Sequence, residues 1–330
     1  MTSPPRPMSM GEILDRAFQI YRMHFVQLTL IAVWPGMLYG VVRLADFYWI
    51  HFGSLVQPDV GRGVVFWRLL VYLAYYHVDS LIGLFFMSAF VRQVASVIRR
   101  QSCNWTSSLR FLLDRLKTLL WVVLLKITAV LVVPECLAAG LGLGVLALMD
   151  YAGMLTDPDT QLPWFVIAFS VALGLFLFAW LGACFAFAFP VVVLEALSGV
   201  RAMRRSWQLS KGSRARIFSC WLFLAMIGFV LGSGTQAVYR FVAIVLYRNH
   251  YWNPVFQRLY SPGSVLIGTC VNVLLIPLYP ITLTLLYYDQ RIRREGLDIE
   301  WLMNAAGWES HANPPAVPTP VATATGEPLA

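Results

Sequence analysis

Residues 164–190 read WFVIAFSVALGLFLFAWLGACFAFAFP, a run without a single charged side chain. About 20 mostly apolar residues in a helix are enough to cross the hydrocarbon core of a bilayer. A run this long and this apolar is typical of a membrane-spanning helix. It therefore decides the fold class of the chain.

Five further apolar runs lie on either side of this one. The chain has 330 residues, of which 58% are hydrophobic and 13% charged, whereas a soluble protein carries about a quarter charged residues. The third run is so long that tilt, a kink at Pro134 or a part outside the lipid must accommodate it. We predict an all-α polytopic membrane protein with six spans: Phe25–Leu44, Leu69–Val91, Thr118–Leu148, Trp164–Pro190, Ile217–Leu246 and Val265–Tyr288.

Basic residues cluster on alternate sides of these runs. Six Lys/Arg lie between Arg92 and Lys117 and six between Arg201 and Arg216, whereas segment 150–163 has none. Counted over the whole chain, 18 of the 25 Lys and Arg fall on one side. Because basic loops stay in the cytoplasm, both termini are predicted to be cytoplasmic. The net charge of +8 then reflects orientation and anionic lipid headgroups as partners, not nucleic acid.

Short amphipathic segments precede the first, third and fifth spans. In the first, Ser9 and Glu12 have the spacing of a capping box, which predicts a helix that starts at Ser9. We expect each segment to lie in the cytoplasmic membrane interface and to lead into a hairpin of two spans. The membrane domain would cover 9–305, with possible repeat units 9–100, 105–195 and 199–295, between disordered tails 1–8 and 306–330.

The first span of each unit also carries a G-x-x-x-G pair. This spacing lets two helices approach closely. The predicted helix-packing positions are Gly36, Gly40, Gly140, Gly144, Gly228 and Gly232.

Ionisable side chains deep in a span are candidate functional residues, because each costs about 2.5–3.5 kcal/mol to insert. Here they are His77 and Asp79 in the second span and Lys126 and Glu135 in the third. Asp79 and Lys126 lie at similar depth, so they could form a structural bridge, or else line a polar path for an ion or headgroup. Intramembrane catalysis by His77, Asp79 and Glu135 is a third interpretation.

Motifs of soluble enzymes are missing from the sequence. The chain has no G-x-x-x-x-G-K-[ST], no H-E-x-x-H and no G-x-S-x-G. Its histidines and cysteines show no metal-ligand spacing. We therefore predict a protein that is not an enzyme and that uses no cofactor or metal.

Three motifs together resemble a known family. They are MSMGEILDRAF at 8–18 followed by Tyr21-Arg22, RAMRRSWQLSKG at 201–212, and LYYDQRIRREGLD at 286–298. They are similar to the bacterial membrane domain fused to some glycerophosphoryl diester phosphodiesterases and to its stand-alone relatives, over roughly residues 8–302. The resemblance implies a six-helix domain in a bacterial cytoplasmic membrane. It does not imply the phosphodiesterase activity, because the His-Arg-Gly start of that catalytic barrel is absent here and no remaining segment could encode a barrel.

The motif residues also have a purely physical interpretation. Gly296 would end the last helix, and the arginines would bind anionic headgroups at the cytoplasmic interface. These headgroup candidates are Arg201, Arg204, Arg205, Arg291, Arg293 and Arg294.

Two hypotheses for function follow from these patterns. The leading one is a non-catalytic scaffold or partner subunit that contacts anionic lipid and other membrane or envelope proteins through its basic face. The alternative is a small-molecule or lipid transporter built around the deep charges of spans two and three, with helix breaks at Pro134, Pro277 and Pro280. A cavity that reaches Asp79 and Lys126 would favour the alternative, and a dry bridge between them would favour the scaffold.

Overall fold

Helices make up nearly all of the computed structural model, which describes residues 7–56, 62–99, 101, 103–153, 162–248, 254–297 and 299. The predicted all-α class is confirmed over this part of the chain. Its helices are α1 Met10–Met23, α2 Phe25–Val56, α3 Arg62–Ile98, α4 Trp105–Asp114, α5 Leu116–Ile127, α6 Val133–Tyr151, α7 Leu162–Cys184, α8 Ala188–Leu194, α9 Gly199–Ser210, α10 Arg214–Arg248, α11 Pro254–Leu275 and α12 Leu278–Glu295, with a π-helical turn at Thr128–Val132 between α5 and α6.

Six stretches among the described residues are long and apolar enough to cross a membrane, as predicted. The chain is therefore a multi-pass membrane protein. The second stretch begins and ends later than its prediction, and the sixth continues through the basic motif to Glu295. The stretches are Phe25–Ala45, Leu73–Ile98, Leu116–Tyr151, Pro163–Leu194, Arg214–Leu246 and Pro262–Glu295.

The long third span contains the π-helical turn directly before Pro134. Proline lacks an N–H and its ring clashes with the carbonyl four residues earlier, here that of Val130. The helix responds by widening, so that the Val133 N–H donates to the Thr128 carbonyl, five residues back. The predicted disturbance at Pro134 is thus a π turn, a feature that often marks functional sites.

A second interruption separates α7 from α8 within the fourth span. The Ala188 N–H donates to the Phe185 carbonyl at 3.3 Å, which leaves the Cys184 carbonyl without its usual partner in the helix. The hydroxyls of Ser206 and Ser210 on α9 donate to that carbonyl at 3.2 and 3.0 Å. A buried carbonyl without a hydrogen-bond donor would destabilise the fold. By supplying two donors, α9 stabilises the break. A third interruption, at 276–277, separates α11 from α12.

The N-terminal helix begins where the capping box predicts. The Ser9 hydroxyl accepts from the Glu12 N–H at 3.3 Å, and the Glu12 carboxylate accepts from the Ser9 N–H at 2.7 Å. At the other end of the chain, Gly296 adopts φ +66° and ends α12, also as predicted.

The buried core is concentrated where α1, α4 and α9 pack against the spans. α1 packs along α12 and buries Ile13, Ala17 and Ile20, while α9 packs on α5 and α8. We call this end of the bundle, which holds α1, α4, α9 and the last two turns of α12, the basic end. The three repeat units remain a prediction, although each of them contains one short helix followed by two spans.

The predicted disordered tails lie mostly outside the described residues, which exclude 1–6 and 301–330. Met8, which the prediction assigned to the N-terminal tail, is held in place. Its N–H donates to Asp289, and its carbonyl accepts from Arg216 and Arg293. The ordered domain therefore begins before the capping box.

Candidate functional site: an intramembrane cavity beside a buried lysine

Lys126 is the most unusual ionisable residue of the bundle. It lies on the last turn of α5, is only 5% exposed, and its ammonium lies 5.0 Å from the centroid of the Phe189 ring on α8. No carboxylate of the described residues lies within ion-pair distance of it. Burying an isolated ammonium costs much free energy. The contact with one aromatic face offsets only a small part of that cost.

A cavity of about 450 Å³ adjoins this lysine. That volume falls within the range of small-molecule binding pockets, which are mostly apolar with a few placed polar groups. The polar groups here are Lys126, Ser80 and the tyrosines 39, 76 and 279. Most of the remaining lining is aliphatic or aromatic: Leu84, Met87, Phe90, Val130, Leu131, Phe178, Ile217, Phe218, Trp221 and Ile276.

All three helix interruptions border the cavity. Val130 and Leu131 come from the π turn, Ala183 lies in the last turn of α7 before the break to α8, and Ile276 lies in the break between α11 and α12. Irregular backbone is tolerated at membrane depth only where it is buried in protein or lines a cavity. The position of the cavity therefore explains why the helices can be interrupted at these three places.

The predicted bridge between Asp79 and Lys126 is wrong. Asp79 instead accepts from Arg43 of α2, at 2.7 Å. Depth along a helix can be read from sequence, but the identity of the neighbouring helix cannot, and α2 packs directly against α3.

The other two deep residues lie together. His77 Nε2 lies 3.3 Å from a carboxylate oxygen of Glu135, while His77 Nδ1 lies 2.7 Å from the Leu73 carbonyl. A ring nitrogen that faces a carbonyl must carry the proton. A hydrogen bond between Nε2 and the Glu135 carboxyl then needs one further proton, on either residue. The four predicted deep residues thus separate into two pairs, Asp79–Arg43 and His77–Glu135, and the lone Lys126.

At the basic end, Asp289 is a fully buried carboxylate that ties three segments of the chain together. It accepts from the Met8 N–H at 2.8 Å, from Arg216 at 2.9 Å and from Arg293 at 2.9 Å. These donors come from the N-terminal segment, α10 and α12. Two of the three family-like motifs therefore meet at Asp289.

Glu195 joins the remaining motif to α12. Its carboxylate accepts from Arg205 at 2.9 Å and from the Tyr287 hydroxyl at 2.6 Å. Arg205 also pairs with Glu295, which accepts in addition from Arg291 at 2.8 Å. Desolvation acts to lower the pKa of the Arg205 guanidinium, but its hydrogen bonds to Glu195 and Glu295 outweigh this and raise the pKa.

Four of the six predicted headgroup arginines are thus engaged within the chain. Arg205, Arg291 and Arg293 bind carboxylates, and Arg294 donates to the Gln208 and Lys211 carbonyls that end α9. The contacts of Arg205 and Arg294 join α9 to α12, whereas those of Arg291 and Arg293 with carboxylates lie within α12. Arg201 and Arg204 are exposed on α9 and keep the predicted role as a hypothesis.

The glycine pairs behave differently from one another. A Cβ at Gly36 would lie 2.2 Å from Val273, and one at Gly40 would lie 3.2 Å from Thr269, so this pair packs against α11. For the other two pairs the helix-packing role stays a prediction, because among the described residues no atom of another element lies within 4 Å of such a Cβ. These glycines face away from the bundle: Gly140, Gly144, Gly228 and Gly232.

Several important residues carried only weak signals in the sequence. Phe189 and Tyr279 look like ordinary span aromatics, although each lies one residue from a proline that follows a helix break. Pairing aromatic residues with prolines could have pointed to the cavity. No comparable signal marked Glu195 as the partner of Arg205.

Residues 160–292 match the family model described as the membrane domain of glycerophosphoryl diester phosphodiesterase. The match begins just before α7 and ends within α12, so the resemblance is confirmed over the second half of the bundle. The first motif, at 8–22, lies outside it. No curated protein and no solved structure matches the chain.

Proposed function

We propose, from the membrane-domain match and the cavity between its helices, that this protein binds a lipid or lipid-like amphiphile within the bilayer. Such binding would serve a lipid-handling permease. The observation that carries the proposal is a largely apolar cavity of about 450 Å³ at the three helix interruptions. The family model describes a membrane domain and not the catalytic domain of the phosphodiesterase, so no hydrolytic step is proposed.

Two features support transport over a purely structural role. The cavity reaches Lys126, although Asp79, which pairs with Arg43, is not among the residues that line it. Interrupted helices are typical of transport sites, because their loosened backbone can rearrange around a substrate. An acyl chain suits the aromatic and aliphatic lining, since burying apolar surface is its main source of affinity in such a pocket.

The test fills the cavity and measures retained lipid. Ala179→Phe places an aromatic ring where Ala179 lines the cavity. Its matched control is Ala168→Phe, which makes the same change at an exposed position of the same helix. Both proteins are purified in a neutral detergent, and bound lipid is measured by native mass spectrometry. We expect Ala179→Phe to lose the lipid that wild type and Ala168→Phe retain, and equal retention by all three would contradict the proposal.

The proposed topology places the basic end in the cytoplasm, with α1, α4 and α9 in the interface before three hairpins. The charge asymmetry and the exposed Met23, Leu113 and Val200 on these helices support this orientation. Single cysteines at Lys211 and Gly153, in a chain without its native cysteines, test it. A membrane-impermeant maleimide applied outside intact cells should label position 153 and not 211, and the reverse pattern would refute it.

A scaffold role stands as the second candidate. It is favoured by Arg201 and Arg204, which remain exposed beside the apolar Val200 on α9. Crosslinking in native membranes should recover a reproducible partner that the double variant Arg201→Glu/Arg204→Glu loses. Failure to recover any partner from the wild type would count against this candidate.

A further inference from the structure

The carboxylates that face the bundle interior are occupied by cations other than Lys126. Asp79 binds Arg43 and Glu135 lies beside His77. At the basic end, Glu195 binds Arg205, while Asp289 binds Arg216 and Arg293. Among the described residues, Lys126 is thus a 95% buried cation whose only recorded partner is the ring of Phe189.

This imbalance of charge has a chemical consequence for the cavity. A buried cation without a counterion is costly, and an anion that enters its site removes much of that cost. A cationic ligand would add like-charge repulsion, and a neutral one would leave the ammonium unpaired. The cavity therefore selects for a negative group near Lys126.

The rest of the lining limits what that negative group is attached to. Tyr279 also lines the cavity, and a tyrosine hydroxyl can donate a hydrogen bond to an anion bound there. Beyond these polar groups the wall is apolar, including Phe178, Phe218 and Trp221. An anionic head with one hydrophobic tail satisfies both parts.

We propose that Lys126 binds the anionic head of an amphiphile, such as a phosphate monoester or a carboxylate, with the tail in the apolar part of the cavity. This inference rests on the proposed function and deepens it by naming the chemical class of the ligand. Tyr279 assists as a hydrogen-bond donor.

The experiment uses two probes that share a tail and differ in charge, dodecyl phosphate and dodecanol. Equilibrium binding of each radiolabelled probe is measured on the full chain in a neutral detergent, with inorganic phosphate as a competitor. Lys126→Met removes the charge and keeps the length of the side chain. Lys117→Met makes the same change at an exposed position of the same helix. Lys126→Arg is a third variant, which keeps a positive charge at position 126.

We expect wild type to bind dodecyl phosphate at least tenfold more tightly than dodecanol. Lys126→Met should remove that preference without weakening dodecanol binding, while Lys117→Met leaves both affinities unchanged. Lys126→Arg, which retains the cation, should keep the preference even if Lys126→Met fails to fold.

The contrary outcomes separate the two proposals. Equal affinity of wild type for the two probes, or a preference that survives Lys126→Met, overturns the role of Lys126 and leaves lipid binding intact. If neither probe binds to the wild type, the proposed function itself is overturned. Competition by inorganic phosphate as strong as by dodecyl phosphate would identify a free anion as the ligand and overturn the amphiphile.

Discussion

Replacing Asp289 by asparagine should weaken the attachment of the N-terminal segment to the bundle. The Asp289 side chain is 0% exposed, whereas its partners Arg216 and Arg293 remain 28% and 39% exposed. Removing one member of a buried ion pair costs about 3–5 kcal/mol, but here water can rehydrate both arginines and asparagine keeps one acceptor, so we expect about 2 kcal/mol.

Hydrogen exchange measured by mass spectrometry reports this change locally. The Met8 N–H donates to Asp289, and the Ile13 N–H donates to the Ser9 carbonyl in the first turn of α1. If that segment opens independently, a loss of about 2 kcal/mol accelerates exchange over 8–13 by roughly 30-fold, at about tenfold for each 1.4 kcal/mol.

Asp15→Asn is the matched control, because it makes the same chemical change at an exposed position of α1. It should leave exchange over 8–13 close to that of wild type. If Asp289→Asn and Asp15→Asn exchange alike, Asp289 does not hold the N-terminal segment, and the reasoning from its three hydrogen bonds is refuted.

Two further predictions concern helix packing, each measured by thermal unfolding in detergent. Gly36→Ala should destabilise by about 1–3 kcal/mol, because its new methyl group would overlap Val273, whereas Gly228→Ala should be neutral or stabilise by up to about 1 kcal/mol. Similar losses at both positions would contradict the packing described. Arg43→Asp and Asp79→Arg should each destabilise, and the double exchange should restore stability; additive losses would exclude a structural pair.

The spans and helix ends could be predicted because their causes are local. A helix in lipid must pair its own backbone N–H and C=O groups and must be apolar over its length. Both requirements are visible in one stretch such as 164–190. The capping box at Ser9 and the left-handed Gly296 are likewise set by residues within one turn of helix. Sequence patterns of this kind hold whatever the neighbouring helices are.

The partners of the charged residues could not be predicted in the same way. The sequence placed Asp79 and Lys126 at similar depth, and it gave no partner within the chain for Arg205 or Arg293. Packing decided these partners, because a side chain can pair only with a helix that it faces. The rotation of a helix and the identity of its neighbours depend on contacts between residues far apart in the chain.

By itself, then, the sequence determined a six-span, all-helical membrane protein, because lipid imposes that requirement on each segment separately. Only the tertiary structure decided that Asp79 pairs with Arg43, that the motif arginines tie the chain together, and that Lys126 lies beside a cavity. An ion pair or a cavity is created by several segments at once, so no single stretch of sequence records it.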